Sequence, residues 1–519
     1  MELLPPTNVW VWTLLAVVLT WTVFHATRKT KKKSITAEVR KGCGGTDVII
    51  VGAGVAGATL AYALATDGRR VHVIERDLRE PDRMMGEVMQ PGGRLMLAKL
   101  GLQDCLEEIE AQKLTGLVVY KDGKHGIAPY PVDDNFPYEP CARGFRNGRF
   151  VQRLRHKAAS LPNVRMEEGT VSSLVEDKTG DIKGVKYKSK TTGEETIALA
   201  ALTVVCDGAY SNLRRFLHSS KVELYTYSLG FVAKNCRLED PNSLHLIMSK
   251  PTITMLYQIS NDEVRCTTEV LPENVPSGTN DEMISFLEKV FVPQLPPKLR
   301  DIFVKGINAG PEIKKVPTKR MTTSLSCKNK KGVIVLGDAF NMRHPVIASG
   351  MMVVLSDIVI LRDLLRPLDN LNEVKKLSEI VKSFHQLRKP MSTTVNTLAD
   401  LFHRVLCASK DEAREAMRQE CFVYLCSGGV FTSGLMSLIG GMNPRPLSLV
   451  LHLFSITFSS IATLLAPFPT PQRVWLCLRL LRVALGMLGP HVKDEGVTQM
   501  FSPAAASAYR KRYMTLTAA

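Results

Sequence analysis

A mixed α/β fold is what this 519-residue sequence predicts, and three features predict it. The first is an apolar run at 47–51 that enters Gly52-Ala-Gly54-Val-Ala-Gly57 and continues as an Ala/Leu-rich stretch to Thr66, a strand, tight turn and helix in direct succession. The second is a pair of β-branched stretches, about 111–145 and 217–330, interrupted by Gly, Pro and Asn as strands and turns are. The third is a change to helical spacing from about Ser349 to Met442, with Leu371, Val374, Leu377 and Val381 on one stripe.

Composition bounds what such a fold does. At ~150 residues per domain the chain has room for two to four units. Apolar residues at 45% and charged residues at 23% are ordinary for globular chains and exclude a disordered one. A formal charge of +17 suggests nucleic acid as a partner. However, five of the charges form one short run, Arg28, Lys29, Lys31, Lys32 and Lys33, with no RNA- or DNA-binding motif beside it, so the reading is a membrane surface and no nucleic acid. The 11 cysteines are scattered without a CxxC pair, Cys421 and Cys426 have the wrong gap for a zinc knuckle, and there is no HExxH. Reduced thiols in a cytosol-facing protein, without metal chemistry, are the expectation.

Both ends read as membrane-associated. From Leu3 to Ala26 there is no Asp, Glu, Lys or Arg, and Trp10, Trp12, Trp21 and Phe24 punctuate the run. That length crosses or nearly crosses ~30 Å of hydrocarbon. A cleaved signal peptide wants a basic leader, whereas the only early charge is Glu2 and the basic cluster follows the apolar run. A retained anchor is therefore expected, with the remainder of the chain on the cytosolic side by the positive-inside rule. Near the other end, 447–467 is uncharged, and 472–489 carries Leu476, Leu480, Val483 and Met487 at helical spacing with Arg479 and Arg482 on a different face. The second of these reads as a helix in the bilayer interface; a pair of buried core helices is the alternative.

The strand-turn-helix unit at 47–66 is Rossmann-type. The first glycine permits the turn, the second lets backbone approach a pyrophosphate, the third allows close helix–strand packing, and the helix N-terminus offers unpaired N–H groups. A second strand at 70–74 ends at Glu75, 23 residues after Gly52, where an acid meets the ribose hydroxyls. Two further fragments bear on which dinucleotide is held. Gly332-Val-Ile-Val-Leu336 is an apolar strand ending in Gly337-Asp338-Ala339 before an expected helix, which suits a carboxylate on a ribityl hydroxyl. Val204-Val-Cys-Asp207-Gly208 is another strand end, with a helix expected to start near Ser211.

Taken together, the segment from Glu75 to Arg83, Gly86-Glu-Val-Met-Gln-Pro-Gly-Gly93, Asp207-Gly208 and Gly337-Asp-Ala-Phe-Asn-Met-Arg-His-Pro345 resemble squalene epoxidase of the plant kind, in order and spacing from about Asp47 to at least Asp357. The resemblance implies a Rossmann-type FAD-binding domain of the flavin hydroxylase kind, a β-sheet substrate domain and C-terminal membrane-associated helices. The boundaries expected are an anchor and basic linker at 1–45; FAD-binding parts at 46–110, 146–216 and 331–370; substrate-domain parts at 111–145 and 217–330; and the helical region at 371–519. FAD is then expected to contact Gly52, Gly54, Val55, Ala56, Gly57, Glu75, Arg76, Arg83, Val88, Arg155, Val171, Asp338 and Met351. On their chemistry, Glu75 suits the ribose, Arg83 and Arg155 the pyrophosphate or nearby dipoles, and Asp338 the ribityl chain.

The resemblance also implies a reaction: epoxidation of squalene, or a similar apolar lipid, with O2 and with electrons from NADPH through a separate membrane reductase. The endoplasmic reticulum membrane is the implied location. The oxygen chemistry is carried by the flavin as its C4a-hydroperoxide, and no catalytic side chain is assigned. An uncharged substrate offers no ion-pair handle, so an apolar tunnel opening toward lipid is expected. His344 reads equally as a base or as a residue that fixes its loop. Two positions depart from the family pattern: Ala348-Ser349 stands where a glycine run is usual, narrowing the backbone's freedom, and Leu117 stands where a tyrosine lines the substrate site. Another lipid-modifying flavoenzyme of the same fold, a non-catalytic paralogue and an NAD-dependent dehydrogenase are the competing readings.

Overall fold

A computed structural model describes residues 45–133, 136, 138–218, 221–321 and 330–494. The apolar run at 3–26, the basic cluster at 28–33 and all but the end of the 34–45 linker lie outside the described residues.

Four short strands form one side of a seven-stranded sheet. Val71–Glu75, Val48–Val51, Leu202–Val205 and Val333–Val335 lie side by side and parallel. Apart from His72, Glu75 and Thr203, their residues are apolar without alternation because both faces of the sheet are covered. Val48, Ile50, Val204 and Ile334 pack under the helices Val55–Thr66 and Gly350–Leu365, whereas Ile49, Val51, Val205 and Val335 pack on the opposite side with Tyr187 and Phe340. Val164–Glu176, Ile182–Ser189 and Glu195–Leu199 extend this sheet beyond Val71–Glu75.

The two β-rich stretches meet in a second seven-stranded sheet, ordered Lys314–Met321, Val222–Lys234, Glu263–Val270, Thr254–Gln258, Ser243–Ile247, Gly116–Lys121 and Lys124–Pro129. The seam is a parallel pairing of Ser243–Ile247 with Gly116–Lys121. Two helices absent from the sequence reading, Asn280–Val290 and Pro297–Asn308, cover one face through Leu287, Phe291, Leu299, Phe303 and Ile307. The other face packs against the C-terminal helices. A small sheet of Val88–Met89, Ala142–Gly144 and Gln112–Leu114 bridges the two large ones.

The helical region holds Val374–Leu406, which continues through Pro390, then Glu412–Cys426, Gly429–Ile439, Pro446–Leu465 and Pro471–Asp494. Pro446–Leu465 is long and apolar enough to cross a membrane, and 28% of its apolar window is buried within the protein. The last helix differs from expectation in which face is outward. Leu480 and Met487 are buried, and Leu476 and Val483 pack partly, against the second-sheet core. The outward apolar set is instead Val474, Trp475, Leu478 and Leu485. The helix is apolar on two faces, and a single stripe at helical spacing records only the one that meets protein. Two further corrections are local. Gly337–Ala339 is one 3₁₀ turn, and the next α-helix waits until Gly350, because Pro345 starts a second 3₁₀ turn between them. The helix expected near Ser211 begins at Arg214, whose backbone N–H is accepted by the Ser211 hydroxyl at 3.0 Å.

Two buried ion pairs tie these layers together. Glu87, just before Val88–Met89, accepts two bonds of 2.7 Å from the Arg265 guanidinium on the second sheet, and both side chains are almost wholly enclosed. Asp357 does the same for Arg388, joining Gly350–Leu365 to Val374–Leu406. Breaking such a pair leaves one charge buried and uncompensated. Glu87→Ala is therefore expected to cost about 3–5 kcal/mol in equilibrium unfolding, and Glu87→Leu with Arg265→Met to recover most of it. A double variant as unstable as the single one would contradict this account.

Candidate functional site

Three strand ends converge on one edge of the first sheet, and they carry Gly52, Asp207 and Gly337. The pairings Val51 with Val205 and Val205 with Val335 set them side by side. Gly52 has φ +96, and a Cβ there would sit 2.6 Å from the Cys206 carbonyl oxygen. At Gly57 a Cβ would meet the Gly52 carbonyl at 1.8 Å, so helix and turn touch only because both are glycine. At Gly54 a Cβ would meet nothing within 4 Å: the turn's outer side is open to a ligand. Behind it begins Val55–Thr66, whose first N–H groups have no helical partner.

Glu75 does two jobs at this edge. One carboxylate oxygen accepts the Ala53 N–H at 2.6 Å, and the other the Asp77 N–H at 3.2 Å. Arg155 reaches the same turn from behind, donating to the Ala53 carbonyl at 2.8 Å and the Arg79 carbonyl at 3.0 Å, 4.0 Å from Glu75. Its burial lowers the guanidinium pKa, which the nearby Glu75 offsets. Arg155 thus braces the glycine turn. Arg83 is exposed, lies close enough to act electrostatically on both Arg155 and Asp338, and forms no hydrogen bond or ion pair among the described residues. Arg76 is exposed beside Glu75.

The remaining expected residues border the same cleft or its walls. Asp338 is open to solvent on one side and crowded by protein on the others, which pushes its carboxyl up despite Arg343, Arg83 and Arg214 nearby. A Cβ at Gly337 would lie 3.3 Å from that of Ala56, so the Asp338 turn rests on the start of the first helix. Val55 is half-buried. Met351, in the first turn of Gly350–Leu365, places its sulfur beside Gly86, and Val88 is buried just after it. Val171 lies three residues beyond Glu168, the register partner of Glu75, and leans on the far face of the sheet.

The donor set fits a flavin dinucleotide. Glu75 stands beside the glycine turn, Asp338 stands where another strand of the same sheet ends, and the exposed Arg83 is within electrostatic reach of Asp338 and Arg155. Asp207 Oδ1, Asn147 Oδ1 and Ser349 Oγ are buried without a hydrogen-bond partner near the same turns. Gln90, within the Gly86–Gly93 segment, has a role that its sequence position does not suggest. It is buried, donates to the Ile347 carbonyl at 2.8 Å and accepts from Tyr130 at 2.6 Å, holding the 345–347 turn against Val88–Met89. Leu117 is buried in an apolar layer with Tyr257, Val346, Ile347 and Met352 between the second sheet and the C-terminal helices.

Known proteins resemble this chain along its whole length. The family model described as squalene epoxidase matches residues 199–475, and that described as FAD dependent oxidoreductase matches 47–82. Squalene epoxidase 5 of Arabidopsis thaliana is 64% identical over 516 residues, 99% of both chains. The chain belongs to the squalene epoxidase family. Squalene monooxygenase 1,2 of Brassica napus is also 64% identical, covering 97% of each chain. Among solved structures, the flavin-dependent brominase Bmp2 superposes with a TM-score of 0.62 at 15% identity, covering 79% of this chain and 98% of its own. The p-nitrophenol 4-monooxygenase PnpA from Pseudomonas putida gives 0.61 at 16%, covering 78% and 98%. At such identities these two establish the fold, and the cofactor of this family member is FAD.

The Ala348-Ser349 departure resolves into one strained residue. Ser349 has φ −99, ordinary for any side chain, whereas Ala348 is left-handed at φ +48. Ala348→Gly should therefore stabilise the protein by about 1 kcal/mol in equilibrium unfolding. A loss of stability would mean that the turn does not hold this geometry in solution.

Proposed function

We propose that this protein epoxidises squalene to 2,3-oxidosqualene, using FAD, O2 and electrons from NADPH delivered by a separate membrane-bound reductase. The observation that carries the reading is its 64% identity to a squalene epoxidase over 99% of the chain, a span that takes in the strand-end cleft and the second sheet alike. In this reading Gly52, Gly54 and Gly57, with Val55 and Ala56, cradle the pyrophosphate while Arg83 neutralises it. Glu75 takes the ribose hydroxyls with Arg76 at its side, Arg155 keeps the turn in place, and Asp338 takes the ribityl chain. Val88, Val171 and Met351 supply apolar contact. Bound FAD, once reduced, supplies the activated oxygen. The apolar layer around Leu117, Tyr257 and Ile347 excludes water and holds the terminal double bond of an uncharged lipid, which no charged group could orient.

The domain division follows the same logic: first-sheet segments for FAD, second-sheet segments for substrate, and the helical region for the membrane. Leu447, Leu451 and Phe458 on Pro446–Leu465, and Trp475, Leu478 and Leu485 on the following helix, are exposed apolar side chains on consecutive helices. A membrane covering that surface, that of the endoplasmic reticulum with the enzyme facing the cytosol, would supply substrate directly.

Full-length protein purified in detergent should be yellow and should form 2,3-oxidosqualene from squalene only when NADPH and a membrane reductase are both supplied. Product with NADPH alone would dismiss the partner, and flavin without any product would dismiss the substrate. For the membrane surface, Trp475→Glu with Leu478→Glu should raise KM for squalene presented in vesicles while flavin content stays the same. An unaltered KM would place lipid contact elsewhere.

A further inference from the structure

Behind the flavin-facing turn lies a buried group of three ionisable side chains that the mechanism above does not use. Glu269 belongs to the second sheet, His344 immediately precedes the 345–347 turn, and His403 belongs to Val374–Leu406; all are buried. His344 Nε2 is 3.3 Å from one Glu269 oxygen, and His403 Nε2 is 3.2 Å from the other. Their potential ligand atoms lie within 4.8 Å of one another, a spacing that invites a metal. The ring geometry opposes one: the two imidazoles are stacked, centroids 3.8 Å apart at 22°. Lone pairs lie in the ring planes, and stacked planes do not converge on an ion at the roughly 2.1 Å that imidazole–metal bonds require.

The hydrogen bonds instead define one proton arrangement. The Val346 N–H donates to His344 Nδ1 at 3.3 Å, so Nδ1 is bare and Nε2 carries the proton. Around Nε2 every neighbour is an acceptor. Glu269 is one. Thr226 Oγ1, also at 3.3 Å, is the other, because Thr318 gives its own proton to the Thr226 carbonyl and leaves Thr226 to donate to Thr318. His403 supplies the compensating charge: although burial opposes it, contacts with Cys407 and Glu269 raise its pKa to about 10, whereas burial lowers that of His344 to about 3. A neutral His344 thus sits against an ionised Glu269 paired with a protonated His403.

We infer that Glu269 is a positioning residue for the flavin-facing turn, acting by fixing the tautomer of His344. Carboxylate at Nε2 keeps Nδ1 free to accept Val346, Val346 sets the 345–347 turn, and that turn delivers Ala348, Ser349 and Met351 to the cleft. The substrate sheet thereby holds a wall of the cofactor site through one imidazole. The inference rests on the FAD reading, so FAD binding by the unsubstituted protein is the control; its absence would fail that reading and not this one.

The test uses FAD titration of full-length, FAD-depleted protein, followed by flavin absorbance and fluorescence. In Glu269→Gln the amide can donate to Nε2, moving the histidine proton to Nδ1 and against the Val346 N–H. Loss of that bond should raise the Kd for FAD about tenfold and alter the bound flavin's spectrum. His344→Asn keeps a short acceptor for Val346 with no tautomer to fix, so it should bind FAD nearly as the parent does; His344→Gln, which reaches toward Glu269 but lacks that acceptor, should not. In the His344→Asn background, Glu269→Gln should then have no further effect on Kd. Equal damage by Glu269→Gln in both backgrounds, or equal affinities for His344→Asn and His344→Gln, would overturn the inference, and the second comparison holds even if Glu269→Gln fails to fold.

Discussion

Parallel pairing of three short strands, Val48–Val51, Leu202–Val205 and Val333–Val335, is the constraint on which the rest depends. Their registers leave no freedom in where the chain emerges. Gly52, Asp207 and Gly337 must leave the sheet at one edge, and the long helices Val55–Thr66 and Gly350–Leu365 pack on one side of it. The cleft is a product of backbone hydrogen bonding between segments far apart in sequence. The side chains at its rim, Glu75, Arg83 and Asp338, become neighbours only through it.

The second sheet has to be held at a fixed distance from that edge, and polar groups do it as much as apolar ones. Glu87 with Arg265, and Asp357 with Arg388, cross the boundaries between layers as enclosed bidentate pairs. Gln90 and Tyr130 add a neutral tie to the 345–347 turn. Apolar packing alone tolerates sliding; directional bonds at these points do not. A cofactor site shared by two layers needs that precision more than it needs the small net stability such pairs contribute.

Much of the cradle was legible because it is local. Gly52, Gly54, Gly57 and Glu75 lie within 24 residues, and the turn, the helix start and the acid each have a chemical reason at that spacing. Asp338 is legible as the end of an apolar strand, but Pro345 starts a 3₁₀ turn that delays the next helix to Gly350, and strand-end spacing alone does not show that delay. Arg155 is less legible, since a basic residue on a helix does not announce that it will turn inward to a carbonyl. Glu269 and His403 left no trace: a glutamate in an alternating strand and a histidine in a long helix are ordinary until the fold stacks them on His344. The last helix shows the limit of periodicity itself, because Leu480 and Leu478 are equally apolar and only packing tells which one faces protein.

The strand order also has a consequence for how the protein is made. The third wall of the cradle, Val333–Val335 with the Gly337 turn, is encoded more than 280 residues after Gly52. A nascent chain emerging from the ribosome therefore carries a glycine turn and its acid for most of translation with nothing opposite them. Cofactor loading has to wait until about two-thirds of the chain has been synthesised, which makes vitamin supply a late checkpoint in this enzyme's maturation and not an early nucleus for it.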